Sequence, residues 1–143
     1  MATIHITKGH DLVLAGSPEK SLNKLDAPKK IKIVPDDFYG IKPKLLVKEG
    51  DNVSIGDKLF FDKNNPDIFF CSSVSGKIDE INFGPRRKLE YIQISNENND
   101  YSYNKKNITS QKIERDSIIN TLLEHGLWPS LRQRPFSKIA NPK

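Results

Sequence analysis

The chain has one cysteine, one methionine, one tryptophan and three histidines in 143 residues. A single cysteine, Cys71, excludes an internal disulfide and suits a reducing compartment. It lies in the apolar run Ile68-Phe69-Phe70-Cys71 and reads as a small buried residue, with no second cysteine to share a metal or a redox step. His5, His10 and His125 have no Cys, Asp or Glu at ligand spacing, so they read as surface or packing residues and no metal site is expected. No G-x-G-x-x-G or Walker loop is present, so no phosphate cradle is expected. No Ser-His-Asp or paired-carboxylate pattern exists, so no catalytic residue is expected. No apolar run approaches the ~20 residues that cross a bilayer, and mean hydropathy is -0.59. The start, Met-Ala-Thr-Ile-His-Ile-Thr, lacks the charged and apolar regions of a secretory signal.

Charge is the other thing to weigh. The net charge is +5, with small clusters at Lys29, Lys30 and Lys32 and at Arg86, Arg87 and Lys88. Aromatic residues make up 8% of the chain and do not interleave with those clusters, as a nucleic-acid stacking platform requires. Asp36, Asp37 and Glu90 dilute them. The expected surface is solvated and mildly basic, with no nucleic acid as partner.

What is present is a set of ordered turns. Val47 to Phe60 reads V-x-E-G-D-x-V-x-x-G-x-x-L-F, and Ser75 to Ile81 reads S-G-x-I-x-x-I. Gly50-Asp51 and Gly56-Asp57 are turn dipeptides, because Gly accepts φ > 0 and Asp bonds nearby backbone. Gly50 and Gly76 are both expected at φ > 0. Ile31 and Ile33 alternate with lysines as a strand. Leu59 and Phe61 alternate with Phe60 and Asp62 as another. Lys63 to Asp67 is a polar turn, and Ile68 to Cys71 is a strand. Gly76 opens a strand with Ile78 and Ile81 apolar. Asn82-Phe83-Gly84-Pro85 turns, and Leu89, Ile92 and Ile94 make the last strand. Short strands between Gly, Asn, Asp and Pro predict a compact, mainly β fold over residues 31–95. An irregular segment, 1–30, precedes it, and a polar loop, 96–112, follows, edged by a short strand at Tyr101 to Tyr103. The segment 113–143 carries the one helix. Its apolar stripe is Ile118, Ile119, Leu122 and Leu123, its first turn holds Glu114 and Asp116, and Gly126 is its left-handed cap.

The two glycine-bearing stretches resemble the carrier domains that hold biotin or lipoate, which implies a barrel-sandwich hybrid (biotinyl/lipoyl-like). In those domains the modified lysine lies at a hairpin tip within an acceptor motif. Here the tip is Asp62-Lys63-Asn64-Asn65-Pro66, with neither Met-Lys-Met nor Asp-Lys-Ala. Lys63 therefore reads as a solvated hairpin lysine.

Glu124-His125-Gly126-Leu127-Trp128-Pro129-Ser130-Leu131-Arg132-Gln133-Arg134-Pro135-Phe136-Ser137-Lys138 narrows the resemblance. With Ile6 to Pro18, Gly50-Asp51-x-Val53, Phe61 to Pro66 and Ser75-Gly76, it is similar to the A subunit of the sodium-translocating NADH:quinone reductases, from about Ile4 to Pro142. The resemblance implies a part of one subunit of an NADH:ubiquinone reductase (Na(+)-transporting) translocase. It implies a place on the cytoplasmic face of the inner membrane, peripheral through the other subunits of the membrane-bound complex. NADH and ubiquinone are then substrates of the whole complex, with no cofactor bound by this chain. It also implies that the sequence stops where an α/β domain would begin, as an N-terminal piece.

Two other readings stand beside this one. A non-catalytic biotinyl/lipoyl-like binding module would need an acceptor lysine or a ligand site. The related subunit of the ferredoxin:NAD reductase pumps carries G-x-G-G-A-G-F-P where this chain has Gly126 to Arg132.

Trp128, Arg132, Arg134 and Phe136 are the candidate partner-facing or quinone-proximal tail. Burying Leu127, Trp128, Leu131 and Phe136 needs a covering surface. The tail is therefore expected to be poorly held by this chain alone, and its arginines to dock it on a following domain.

For Lys63, co-expression with biotin and lipoate ligases should leave the intact mass unchanged. A gain equal to either group would overturn the reading.

Overall fold

The computed structural model describes Gly9, Val13, residues 15–97 and residues 114–142. The expectations for His5, His10, the Tyr101 to Tyr103 strand and most of the polar loop lie outside the described residues.

Among the described residues, seven strands make the two antiparallel sheets of the β core. In chain order they are β1 (Lys30–Ile33), β2 (Pro43–Leu45), β3 (Asn52–Val53), β4 (Lys58–Asp62), β5 (Asn65–Cys71), β6 (Gly76–Phe83) and β7 (Leu89–Asn96). One sheet has the order β1-β7-β6-β3 and the other the order β2-β4-β5. The buried apolar side chains of both sheets form one cluster that includes Leu59, Phe60, Ile68, Phe70, Ile78, Ile92 and Ile94. These strands form where Val, Ile and Phe recur between turn residues, and the buried faces fix their register.

Two irregularities decide which side chains enter that cluster. In β6 against β7, Ile78 pairs Ile94 and Ile81 pairs Ile92, with a register shift between Ile78 and Glu80. Strict alternation would send Ile78 and Ile81, three apart, to opposite faces. The extra residue turns both toward the core, where Ile78 is buried and Ile81 packs against it. The S-G-x-I-x-x-I spacing is thus the trace of a bulge. In β4 one of two shifts falls between Lys58 and Phe60, and Leu59 and Phe60 are both fully buried. This corrects the expected alternation of Leu59 and Phe61 with Phe60 and Asp62, because strict alternation would keep Leu59 and Phe60 on opposite faces.

Asp62 is buried and holds the β4–β5 turn together. Its carboxylate accepts from the Lys42 N–H (2.8 Å), the Asn64 N–H (3.0 Å) and the Asn65 side chain (3.4 Å). With Asp62 satisfying these donors, β5 starts at Asn65. The polar turn expected over Lys63 to Asp67 shrinks to Lys63 and Asn64. Likewise Asn82 and Phe83 belong to β6, and the turn begins at Gly84.

Gly50 has φ 89 as expected, but Gly76 is not in the left-handed region. The need at Gly76 is space. A Cβ there would collide with the Ser95 carbonyl of β7, with the Glu97 N–H 3.4 Å away. β3, β6 and β7 close up at this point, and only glycine lets the backbones approach.

The two glycines should therefore respond differently to a methyl group. Gly76→Ala should destabilise the chain by more than about 2 kcal/mol, because backbone must move. Gly50→Ala, which meets open space, should cost about 1 kcal/mol from φ alone. Urea unfolding midpoints compare them, and equal losses would contradict the assignment at Gly76.

Candidate functional site

The candidate tail begins with α1 (Arg115–Glu124). Asp116 sits in its first turn, where the helix dipole favours a carboxylate. Its end follows from Gly126 at φ 64. The Gly126 N–H donates to the Leu123 carbonyl (3.2 Å) and the Leu127 N–H to the Leu122 carbonyl (2.9 Å). These are the two bonds of a Schellman cap. Gly126 also lies on β5: a Cβ there would strike Cys71 Sγ. The cap is thus also the point where the helix touches the sheet. Ile119, Leu122 and Leu123 pack against the core, whereas Ile118 is exposed. The expected four-residue stripe is three residues wide. Cys71 is half-buried by this contact, and desolvation pushes its thiol pKa up, opposed by the Lys58 charge. It is a packing residue held as the thiol.

The chain then makes a tight turn, Trp128–Ser130, followed by the hairpin of β8 (Arg132–Gln133) and β9 (Lys138–Ile139). Trp128 is 7% exposed and belongs to the core cluster. Its indole N–H donates to the Ala140 carbonyl at 2.7 Å. The expectation of a poorly held tail is wrong at this residue: the chain supplies the covering surface itself, through β5 and the helix. Leu127, Leu131 and Phe136 stay exposed.

Arg132 also finds a partner inside the chain. Its guanidinium lies 4.7 Å from the Phe38 ring centroid. Its Nε donates to the Pro129 carbonyl at 2.8 Å, and its Nη1 donates to the carbonyls of Ser137 (3.3 Å) and Asp37 (3.5 Å). Phe38 meets Phe70 edge-on at 4.6 Å, and Phe70 stacks on Phe60 at 4.5 Å. Arg132 therefore closes an aromatic column that reaches the centre of the core. This corrects the idea that it serves to dock the tail on another domain. It latches the hairpin onto the β core.

Phe136 and Arg134 lie in the exposed turn of that hairpin. Phe136 stacks loosely on Tyr39, with centroids 6.4 Å apart, and Lys138 Nζ lies 5.8 Å from the Tyr39 centroid. The four candidate residues thus separate: Trp128 is core, Arg132 is a latch, and Phe136 and Arg134 are surface. Tyr39 and Phe38 were missed from sequence. Two adjacent aromatics just ahead of Gly40 were the available signal. Among the described residues no group of three or more His, Cys, Asp or Glu is placed to hold a metal ion. Among them no helix is long and apolar enough to cross a membrane.

Two antiparallel sheets around one core, joined by short glycine turns, define the barrel-sandwich hybrid class. The chain belongs to the NqrA family: residues 4–97 match its N-terminal barrel-sandwich hybrid domain, and residues 113–143 match its second alpha/beta domain. The A subunit of the Na(+)-translocating NADH-quinone reductase from Marinomonas sp. (strain MWYL1) is 38% identical over 138 residues, covering 94% of this chain and 31% of the relative. The protein of the same name from Klebsiella pneumoniae (strain 342) is 38% identical over 141 residues, covering 97% and 32%. That of Vibrio atlanticus (strain LGP32) is 36% identical over 140 residues, covering 95% and 31%. The chain thus spans 31–32% of the length of these relatives. The match to the second domain takes in α1 and Trp128, yet Trp128 and the Ile119, Leu122 and Leu123 face of α1 pack with the first domain's core.

Trp128→Ala should cost about 3–5 kcal/mol. Trp128→Phe should cost about 1–3 kcal/mol, because the Ala140 carbonyl loses its donor. Arg132→Ala, on an exposed ring contact, should cost about 1 kcal/mol. Thermal unfolding, with a blue-shifted Trp128 emission in the native chain, checks the order. A solvent-like emission and no effect of Trp128→Ala would refute the packing.

Proposed function

We propose that this chain acts as the N-terminal β module of the NqrA component of a sodium-pumping NADH-quinone reductase, contributing to assembly of the complex and to quinone reduction coupled to Na+ export. One observation carries the reading: two family matches, in the family's order, on one chain, with 94–97% of its length aligned to proteins of that name. In this reading NADH and ubiquinone are substrates of the assembled complex, and this chain binds no cofactor. It sits on the cytoplasmic face of the inner membrane, held there by the other subunits.

The exposed group Tyr39, Phe136, Arg134 and Lys138 is the surface we assign to partner subunits. An exposed aromatic pair flanked by cations suits a protein interface, where aromatics and arginine are enriched. Trp128 and Arg132 serve that surface indirectly: they hold the hairpin in place. Arg134 and Phe136 keep their place as the residues nearest a bound quinone, should one reach this module.

The test is co-expression of the chain with the remaining reductase subunits of a relative such as Klebsiella pneumoniae, followed by affinity purification. The chain should co-purify. Tyr39→Ser with Phe136→Ser should leave the melting temperature within a few degrees and reduce recovery at least about tenfold, the loss of a modest interface contact. A folded wild-type chain that never co-purifies would defeat the reading.

A further inference from the structure

The β6–β7 connection presents two side chains that the fold does not use. Gly84 to Lys88 link the strands, and Arg86 and Arg87 stand at the tip with φ 58 and φ 57. Consecutive left-handed residues at a hairpin tip favour Asn and Gly, which adopt them with little strain. Arginine has no local reason to be there, and backbone strain of this kind persists where a side chain is needed. Both residues are exposed. Among the described residues, neither guanidinium has a hydrogen-bond, ion-pair or ring partner.

Their neighbours behave differently. Lys88 is paired with Asp36. Glu90 accepts from the Asn82 amide at 2.8 Å. Lys30 pairs with Asp79 at 3.1 Å, and Lys32 lies over the Tyr91 ring at 3.7 Å. The two carboxylates near the tip are thus engaged. Phe83, across the ladder from the buried Leu89, is 48% exposed beside the arginines, and Pro85 is exposed with them.

We propose that this tip is a docking point for an anionic lipid bilayer. Phe83 and Pro85 enter the headgroup layer, and Arg86 and Arg87 pair with lipid phosphates. A narrow tip with an aromatic and two unpaired guanidiniums fits a soft surface of dense negative charge, where basic residues add attraction within a Debye length. A planar guanidinium offers two donors to one phosphate. The inference stands on the tip alone and does not require membership of the reductase complex.

The experiment uses the whole chain and sedimentation with vesicles of phosphatidylglycerol and phosphatidylethanolamine, against vesicles of phosphatidylcholine. The wild type should partition onto the anionic vesicles at low salt and leave them at high salt. R86N with R87G should lose on the order of 20- to 30-fold in partitioning, the effect of two basic residues. The same variant should melt a few degrees higher, because its tip residues suit φ > 0. Phe83→Ser should weaken binding and leave its salt dependence unchanged. Equal binding of R86N/R87G and wild type would overturn the proposal, as would equal binding to the two vesicle types. Should the wild type ignore vesicles while R86N/R87G loses co-purification with partner subunits, the tip's occupant is an acidic protein surface and the lipid proposal fails.

Discussion

The column of Phe60, Phe70 and Phe38 is the contact on which the rest of this structure depends. Phe60 belongs to β4, Phe70 to β5 and Phe38 to the turn after β1. Stacked and edge-on contacts at 4.5 and 4.6 Å bind all three into one unit. Aromatic pairs contribute beyond the area they bury, but their consequence here is positional. Without Phe38 on Phe70, the segment Pro35 to Gly40 loses its aromatic anchor, and Arg132 has no ring to cover. Without Arg132 on Phe38, the hairpin that carries Phe136 is left with Ile139, Ala140 and the Trp128 indole bond as its hold on the core. The order of dependence runs from core to turn to tail, so the exposed surface is set by buried residues that never reach it.

Polar groups do the corresponding work at the edges. Asp62 ends β4 by taking three donors, and Asp51 and Asp57 bond the N–H groups of Lys48 and Ser54 at 2.8 and 2.7 Å. Glu49 Oε1 accepts from the Ile81 N–H at 2.8 Å, in the part of β6 beyond its pairing with β3. An open strand edge invites pairing with another chain. A carboxylate that occupies one of its donors makes that pairing less favourable. The acids of the turns are therefore part of how the sheets end, which explains why a fold with a basic net charge keeps aspartate at so many of its corners.

Much of this was legible in the sequence and some was not, for identifiable reasons. Turns were legible because Gly-Asp and Asx chemistry is local: Gly50, Gly56 and Gly126 all have φ > 0. The helix end was legible for the same reason. Bulges were not, because a register shift belongs to two strands at once. Ile78 and Ile81 announce it only when Ile92 and Ile94 are set against them. Gly76 was assigned the wrong physical need, since crowding by Ser95 and positive φ look identical in one sequence. The tail was misjudged because hydrophobic side chains state a demand for burial but not its source. Trp128 found its surface in β5, a strand far earlier in the chain. Phe38 and Tyr39 escaped notice because adjacent aromatics in a loop have no periodicity to read.

The tail also has a consequence for how the relatives' domains are joined. The family comparison assigns 113–143 to an alpha/beta domain, while burial assigns Trp128 and the inner face of α1 to the β core. Both assignments can hold if the segment is shared. A linker of exposed, polar residues leaves two domains free to reorient. A shared segment with a buried indole, a capped helix and an arginine latch does not, because reorientation would expose Trp128 and leave the Ala140 carbonyl without its donor. Within this chain, those contacts fix how the segment 114–142 sits on the β core. A core substitution at Phe70 would disturb that seating through Phe38, without touching the tail itself.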